Sequence, residues 1–349
     1  MLIIMPQNDG VNKSRLEEVL TYALGENETE YVYKAEELKQ KNLKNRRVLF
    51  AVLIGSNGIN LELYRMYEYL RSVKGAFEGS VGGIIVDGAS ELYTKAVSRE
   101  IAFTANLAGL TFPGRCLVEA TGDLKNFNVQ AKNYNTDCIG AYKISSEILV
   151  NNIIHFNQSK KENPNILVLH ASEGKTSNTL ALWELVKKNL DGFTFKEISL
   201  RNGQVVDCRG CSYDVCAHFS EQGTCFYGGP IAQQVYPAIL KCDALVMLCP
   251  NYNDALGGNH TAFINRLTSL FVSHRFYDKS LFAIVVSGYS GSDIIAQQLI
   301  SGLNMNKTFS LPGEFVLMET ANNPKEVLEI EGIEEKAKAF AKNILNTLT

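Results

Sequence analysis

The sequence predicts an α/β protein: a doubly wound, five-stranded parallel sheet in its C-terminal half, preceded by a second α/β domain. Three observations carry that reading. Short apolar runs recur along the chain, helix-length amphipathic stretches separate them, and a polar segment ending in proline divides the series in two. Strands that alternate with helices build βαβ units, and these favour parallel pairing. With 349 residues and roughly 100–200 residues per domain, there is room for two domains with separate cores.

Residues 1–45 are polar, with helix-like stretches at 15–24 and 35–44 and no chemical motif. From Arg47 the alternation is regular: a buried-strand run at 48–54, a helix at 61–73, a strand at 83–86 and a helix at 91–108. Pro113-Gly114 and Thr121-Gly122-Asp123 punctuate the stretch beyond that helix, and 139–154 reads as a further helix. Residues 157–164 are polar and charged and end in Pro164, which makes them the best linker candidate. The expected organisation is an N-terminal domain over 1–157, a linker over 158–165 and a C-terminal domain over 166–349. In the latter, strands are expected at 166–170, 193–200, 244–249, 281–287 and 314–319, with helices at 179–190, 231–241, 261–272, 292–303 and 333–348. Five strands alternating with five helices have the length and order of a flavodoxin-like sheet.

Composition narrows the function. Apolar residues make up 46% and charged residues 20%, so most of the chain folds. Lys and Arg number 34 against 37 Asp and Glu, a formal charge of -3, which leaves no basic surplus for a phosphate backbone and argues against nucleic acid as partner. No apolar run approaches the ~20 residues of a membrane span, and the opening MLIIMPQNDG has no basic leader or cleavage site. The expectation is a soluble cytoplasmic protein with no membrane partner.

In a doubly wound sheet, ligands sit beyond the carboxyl ends of the strands where strand order reverses, so the loops after the first, third and fourth strands matter most. The first, Ser172-Glu-Gly-Lys-Thr-Ser-Asn-Thr179, opens directly into a helix and offers hydroxyls, Lys175 and free backbone N–H groups to a terminal phosphate. The plainer alternative is an ordinary capped helix start. It is neither a Walker loop nor G-x-G-x-x-G. The second loop runs from Cys249 through Pro250, Asn251, Tyr252 and Asn253 to paired glycines, and suits the edge of a planar ring. The third, Ser287-Gly-Tyr-Ser-Gly-Ser292, is again glycine-rich. His170, at the end of the first strand, reads as a packed residue rather than a catalytic one.

On these loops, residues 166–349 resemble the flavodoxin-like NAD(P)H-dependent FMN reductase family, and within it the iron–sulfur flavoproteins. Ser172, Lys175, Asn178 and Thr179 keep the register of the family's first loop, with Ser177 in place of its usual glycine. Pro250, Tyr252, Phe263, Ile264 and Arg266 match the second loop and its helix, with Asn253 replacing a tryptophan and Asn265 an aspartate. The resemblance implies FMN bound by Ser172, Lys175, Ser177, Asn178, Thr179, Pro250, Asn251, Tyr252, Asn253, Ser287, Gly288, Tyr289 and Gly291. It further implies NAD(P)H as donor, a small-molecule electron acceptor such as a quinone or flavin, and a homodimer or larger oligomer. Flavin carries the redox chemistry, so no acid–base dyad is required of the protein, and no catalytic side chain is assigned.

Four of the eight cysteines fall within one short stretch, Cys208-x2-Cys211-x4-Cys216-x8-Cys225, in a cysteine-rich loop over 207–228. Four thiolates so spaced suit [4Fe–4S] or tetrahedral zinc; free thiols are the alternative. Iron–sulfur flavoproteins carry a four-cysteine motif in this loop, with shorter gaps. Cys116, Cys138, Cys242 and Cys249 read as small buried hydrophobes. In the first half, Asn133-Tyr-Asn-Thr-Asp-Cys-Ile-Gly140 faintly resembles a junction in shikimate-dehydrogenase-like substrate domains, which would set Asp137 at a substrate; helix capping by Thr136 and Asp137 is the plainer reading. Three functions stand for comparison: an NAD(P)H-dependent FMN oxidoreductase whose cysteine loop offers an electron-relay site, a flavin or iron–sulfur redox sensor without turnover, and a shikimate-dehydrogenase-like reductase with a substrate-shaping first domain.

Overall fold

The computed structural model describes residues 1–172, 174–201 and 205–349. They divide into two compact units, one comprising Met1–Asn157 with Pro312–Glu314, the other Gln158–Leu311 with Phe315–Thr349.

The first unit contains β1 (Leu2–Ile4), α1 (Ser14–Leu24), β2 (Glu30–Val32), α2 (Ala35–Lys39), β3 (Arg47–Ile54), α3 (Leu61–Ser72), β4 (Val81–Gly88), α4 (Thr94–Leu107), β5 (Leu117–Ala120), α5 (Asn128–Tyr134) and α6 (Cys138–His155). Its strands form one parallel sheet in the order β2-β1-β3-β4-β5. β4 is buried along its whole length, as expected of a strand covered by helices on both faces. At the strand ends, Arg15 of α1 holds the buried Asp87 carboxylate with Nε at 2.9 Å and Nη2 at 2.5 Å, and donates Nη1 to the Gly122 carbonyl at 2.9 Å. Asp137 caps α6 by accepting the Gly140 N–H at 2.7 Å. A Cβ at residue 140 would meet Thr136 Oγ1 at 2.2 Å, so glycine there lets the cap close.

The second unit contains β6 (Asn165–His170), α7 (Asn178–Lys187), β7 (Thr194–Ser199), α8 (Tyr213–Glu221), α9 (Tyr236–Lys241), β8 (Ala244–Pro250), α10 (Gly258–Ser273), β9 (Ser280–Ser287), α11 (Ser292–Leu299), β10 (Val316–Thr320) and α12 (Ile333–Leu348). The sheet is all-parallel with order β10-β9-β8-β6-β7, the doubly wound flavodoxin-like arrangement that the sequence predicts. β9 is buried throughout, while edge strand β7 exposes most of its residues. α12 buries Ile333, Ala337, Phe340, Ala341, Ile344 and Leu348, a stripe at helical spacing that packs into the core with Trp183 and Phe282.

Two predicted helices, 231–241 and 292–303, are each interrupted by a π turn, at Ile231–Val235 and Ile300–Met305. In the first, Pro237 withholds a backbone donor from the regular ladder. Among the described residues, no helix is long and apolar enough to cross a membrane.

Candidate functional site

The order reversal in the second unit falls between β6 and β8, where the two strands diverge into separate loops. The segments after β6, β7, β8, β9 and β10 converge there on a cleft of about 430 Å³, within the usual range for small-molecule sites.

At one end, three hydroxyls form a chain: Ser177 Oγ lies 2.9 Å from Thr179 Oγ1, which lies 3.3 Å from Ser172 Oγ. Ser177 also caps α7 by accepting the Leu180 N–H at 3.2 Å. The capped-start reading is thus met at Ser177, on a residue that also lines the cleft. Thr176 and Arg201 line this cleft as well, and no carboxylate does so among the described residues. A hydroxyl cradle at the positive end of a helix, with a guanidinium in the lining, fits a phosphomonoester anion.

The second and third loops are built as one piece. Asn251 Nδ2 donates to Ser287 Oγ at 3.1 Å and to the Ser290 carbonyl at 2.9 Å, while its Oδ1 accepts the Asp254 N–H at 2.9 Å. Gly291 has φ +87°, and a Cβ there would come within 2.3 Å of Asp254 Oδ1, so only glycine allows the loops to meet. Asn253 and Asp254 both take the left-handed conformation that turns the second loop back. Pro250 and Tyr252 edge the cleft, and Tyr252 is 58% exposed.

Of the residues expected to hold FMN, the lining includes Ser172, Ser177, Asn178, Thr179, Pro250, Asn251, Tyr252 and Gly288. Lys175, Asn253, Ser287, Tyr289 and Gly291 lie outside it. Ser287 is committed to Asn251 and Ser292, Tyr289 is 82% exposed, and Lys175 sits on an exposed turn. Asn178, although in the lining, commits its amide to the fold, donating to the Ala321 and Asn323 carbonyls and accepting the Val327 N–H. Glu173 of the first loop lies outside the described residues. Besides Ala171, Thr176 and Val286, which adjoin expected positions, three lining residues escape a reading of the sequence: Arg201, which follows β7, and Ala321 and Asn322, which follow β10. Their only signal is position, just past the ends of the two strands whose loops carry no glycine-rich run.

Beneath the first loop, His170 Nδ1 accepts the Ser172 N–H at 3.4 Å, a positioning contact for the cradle. His260, on α10, is fully buried and its Nε2 has no hydrogen-bond partner among the described residues. Burial, reinforced by nearby His170, pulls its pKa down to about 4, so it stays neutral.

The cysteine loop packs against α10. Arg266 is buried and clamps both ends of the loop, donating Nη2 to the Gly228 carbonyl at 2.6 Å and Nη1 to the Val206 carbonyl at 3.4 Å. Asn265 donates to Asp207, Ser269 to the Thr224 carbonyl and Ser273 to the Ser220 carbonyl. Burial raises the Cys216 pKa, with Cys225, Cys208 and Cys211 close enough to add to the rise. The thiols thus gather, but among the described residues they do not close into a ligand set for a metal ion. The expectation of a [4Fe–4S] or zinc site on Cys208, Cys211, Cys216 and Cys225 therefore stays an expectation. Cys216 rides on α8, a helix that the sequence pattern does not announce, while Cys208 and Cys211 stand exposed on the segment before it.

Residues 164–323 match the family model described as NADPH-dependent FMN reductase. No curated protein sequence matches the chain. Among solved structures, an NAD(P)H:quinone oxidoreductase from Methanothermobacter marburgensis is 14% identical, covering 52% of this chain and 99% of its own, with a TM-score of 0.39. A flavodoxin, WrbA-like protein from Agrobacterium tumefaciens is also 14% identical, covering 53% of this chain and 96% of its own, at a TM-score of 0.33. The family match covers fewer than half of the chain's 349 residues and falls almost wholly within the unit that holds the cleft, so it is that unit that is similar to the NADPH-dependent FMN reductases.

Proposed function

We propose that the C-terminal unit binds FMN in this cleft and that the protein uses NAD(P)H to pass electrons to a small acceptor such as a quinone or a free flavin. The observation that carries the reading is the convergence of the first, second and third loops on a single cleft with a hydroxyl cradle at one end. Ser172, Thr176, Ser177 and Thr179, with Arg201, would hold the phosphate. Pro250, Tyr252 and Gly288 would border the ring. When bound, FMN supplies the hydride and single-electron chemistry. The chain's own task is to fix the ring's position and leave one side open, and the exposure of Tyr252 suits that opening. No step is assigned to the cysteine loop.

An absorption spectrum of anaerobically purified protein, before and after FMN is added, is the direct check, with flavin bands expected at one FMN per chain. Steady-state NAD(P)H oxidation with quinone or free flavin as acceptor then separates an enzyme from a redox sensor, which would show negligible turnover. The remaining expectations, a cytoplasmic location and a homodimer or larger oligomer, are part of this proposal, and size-exclusion chromatography with light scattering checks the second.

A further inference from the structure

The first unit also has a cleft at its own order reversal. Its strand order, β2-β1-β3-β4-β5, turns around between β1 and β3, the place where open parallel sheets bind ligands. The segments following those two strands border a cleft of about 920 Å³, lined by Gln7, Asn8, Asn12, Ser56, Asn57 and Arg65 among others. A hollow of about 420 Å³ shares Lys34 and residues 7–11 with it. None of these residues takes part in the flavin cleft.

The mouth of this cleft is held in shape before any ligand arrives. Asn60, 1% exposed, donates Nδ2 to the Pro6 carbonyl at 3.1 Å and the Leu53 carbonyl at 3.2 Å, and accepts the Leu63 N–H at 3.0 Å. Asn8 donates to the carbonyls of Leu53 at 3.0 Å and Ile59 at 3.2 Å. Two amides therefore tie the loop after β1 to the loop after β3. Gly55 lies on the floor with no positive φ, and a Cβ there would meet its nearest neighbours, Asn57 Oδ1 and Val11 Cγ2, at an ordinary 3.5 Å. Backbone geometry does not demand glycine at 55; the missing side chain leaves the space open.

From this lining we infer that the N-terminal unit binds a phosphorylated sugar, either free or as the ribose phosphate of a nucleotide. Gln7, Asn12, Ser56 and Asn57 offer donors and acceptors side by side, which is what hydroxyl groups require. The acidic lining residues are engaged: Asp9 accepts from Gln7 at 2.7 Å, and Glu62 takes the Ala35 N–H at 2.7 Å and the Arg65 guanidinium at 2.7 Å. Lys34 forms no ion pair among the described residues, which leaves an ammonium for the phosphate. Ile59 and Leu61, 48% and 69% exposed, supply an apolar rim for the carbon skeleton of the sugar.

The test is calorimetric titration of the full chain, saturated with FMN so that the other cleft is filled, using ribose 5-phosphate, AMP and inorganic phosphate as separate probes. Saturable binding of ribose 5-phosphate or AMP, tighter than that of inorganic phosphate, is expected; which of the two binds tighter distinguishes the free sugar from the nucleotide. Gly55→Phe, which fills the floor, and Ser56→Glu, an exposed lining position where the change replaces a hydroxyl donor with a negative charge in the same cleft as the phosphate, should each weaken that binding by about tenfold or more while FMN retention is unchanged. Ser56→Glu keeps the test valid should Gly55→Phe fail to fold. Absence of saturable binding by either sugar probe below ~10 mM, equal binding of bare phosphate, or wild-type affinity in Ser56→Glu would overturn the inference.

Discussion

Asp87 and His260 show how single residues set stability in the two units. Asp87 is 3% exposed and depends on Arg15 for its charge partner. Asp87→Ala leaves a guanidinium among carbonyls without its carboxylate, and should cost about 3 kcal/mol in urea unfolding. His260 acts through protons. Its native pKa of about 4 lies below the ordinary histidine value of 6.5, so the unfolded chain takes up a proton over that interval and the folded chain does not. Stability should therefore fall as pH drops from 6.5 towards 4, by roughly 1.4 kcal/mol per unit. His260→Gln should flatten that slope, as read from urea midpoints across the pH range.

At the scale of elements, the cysteines divide by where the chain places them. Cys208 and Cys211 are exposed, whereas Cys116, Cys242 and Cys249 are buried and burial pushes their thiols up, that of Cys242 to about 12. In native protein kept under reducing conditions until labelling, Cys208 and Cys211 should react first with an alkylating reagent, and the three buried thiols only after denaturation. Mass spectrometry of the labelled peptides checks the order. Arg266→Met should release the clamp on residues 206 and 228 and speed amide exchange across α8, leaving β8 and β9 protected.

The same scale explains what the sequence makes legible. β8 and β9 are continuous apolar runs because helices cover both faces of the sheet, so length and flanking turns identify them within a residue or two. β1 and β2 have three residues each, too short for any period to register, and β5 has four of alternating burial. α8 hides beneath its cysteines, whose spacing draws a reading of chemistry before one of structure. Asn178 and Lys175 keep the family's register, but register does not reveal where a side chain points. Asn178 ties α7 to the segment after β10, a partner more than 140 residues away that no local pattern contains.

For the molecule as a whole, both units have the same strand order and each has its own buried core. The cofactor reading therefore concerns only one of them. Saturating FMN stabilises whatever binds it by mass action, about 2.7 kcal/mol at a hundredfold excess over Kd. Hydrogen–deuterium exchange should accordingly slow in β6, β8, β9 and the start of α7, while β1, β3 and β4 exchange at unchanged rates.

The central claim, that the loops after β6, β8 and β9 form a flavin cleft with its phosphate end at Thr176 and Ser177, is tested most directly by titrating FMN and following the quenching of its fluorescence. Wild-type protein should saturate at one FMN per chain, and Thr176→Glu, which sets a negative charge on an exposed position of the lining, should weaken binding by about tenfold or more without unfolding the protein. A wild-type chain that never quenches the flavin, or a Thr176→Glu chain that binds it as tightly as wild type, would contradict the account.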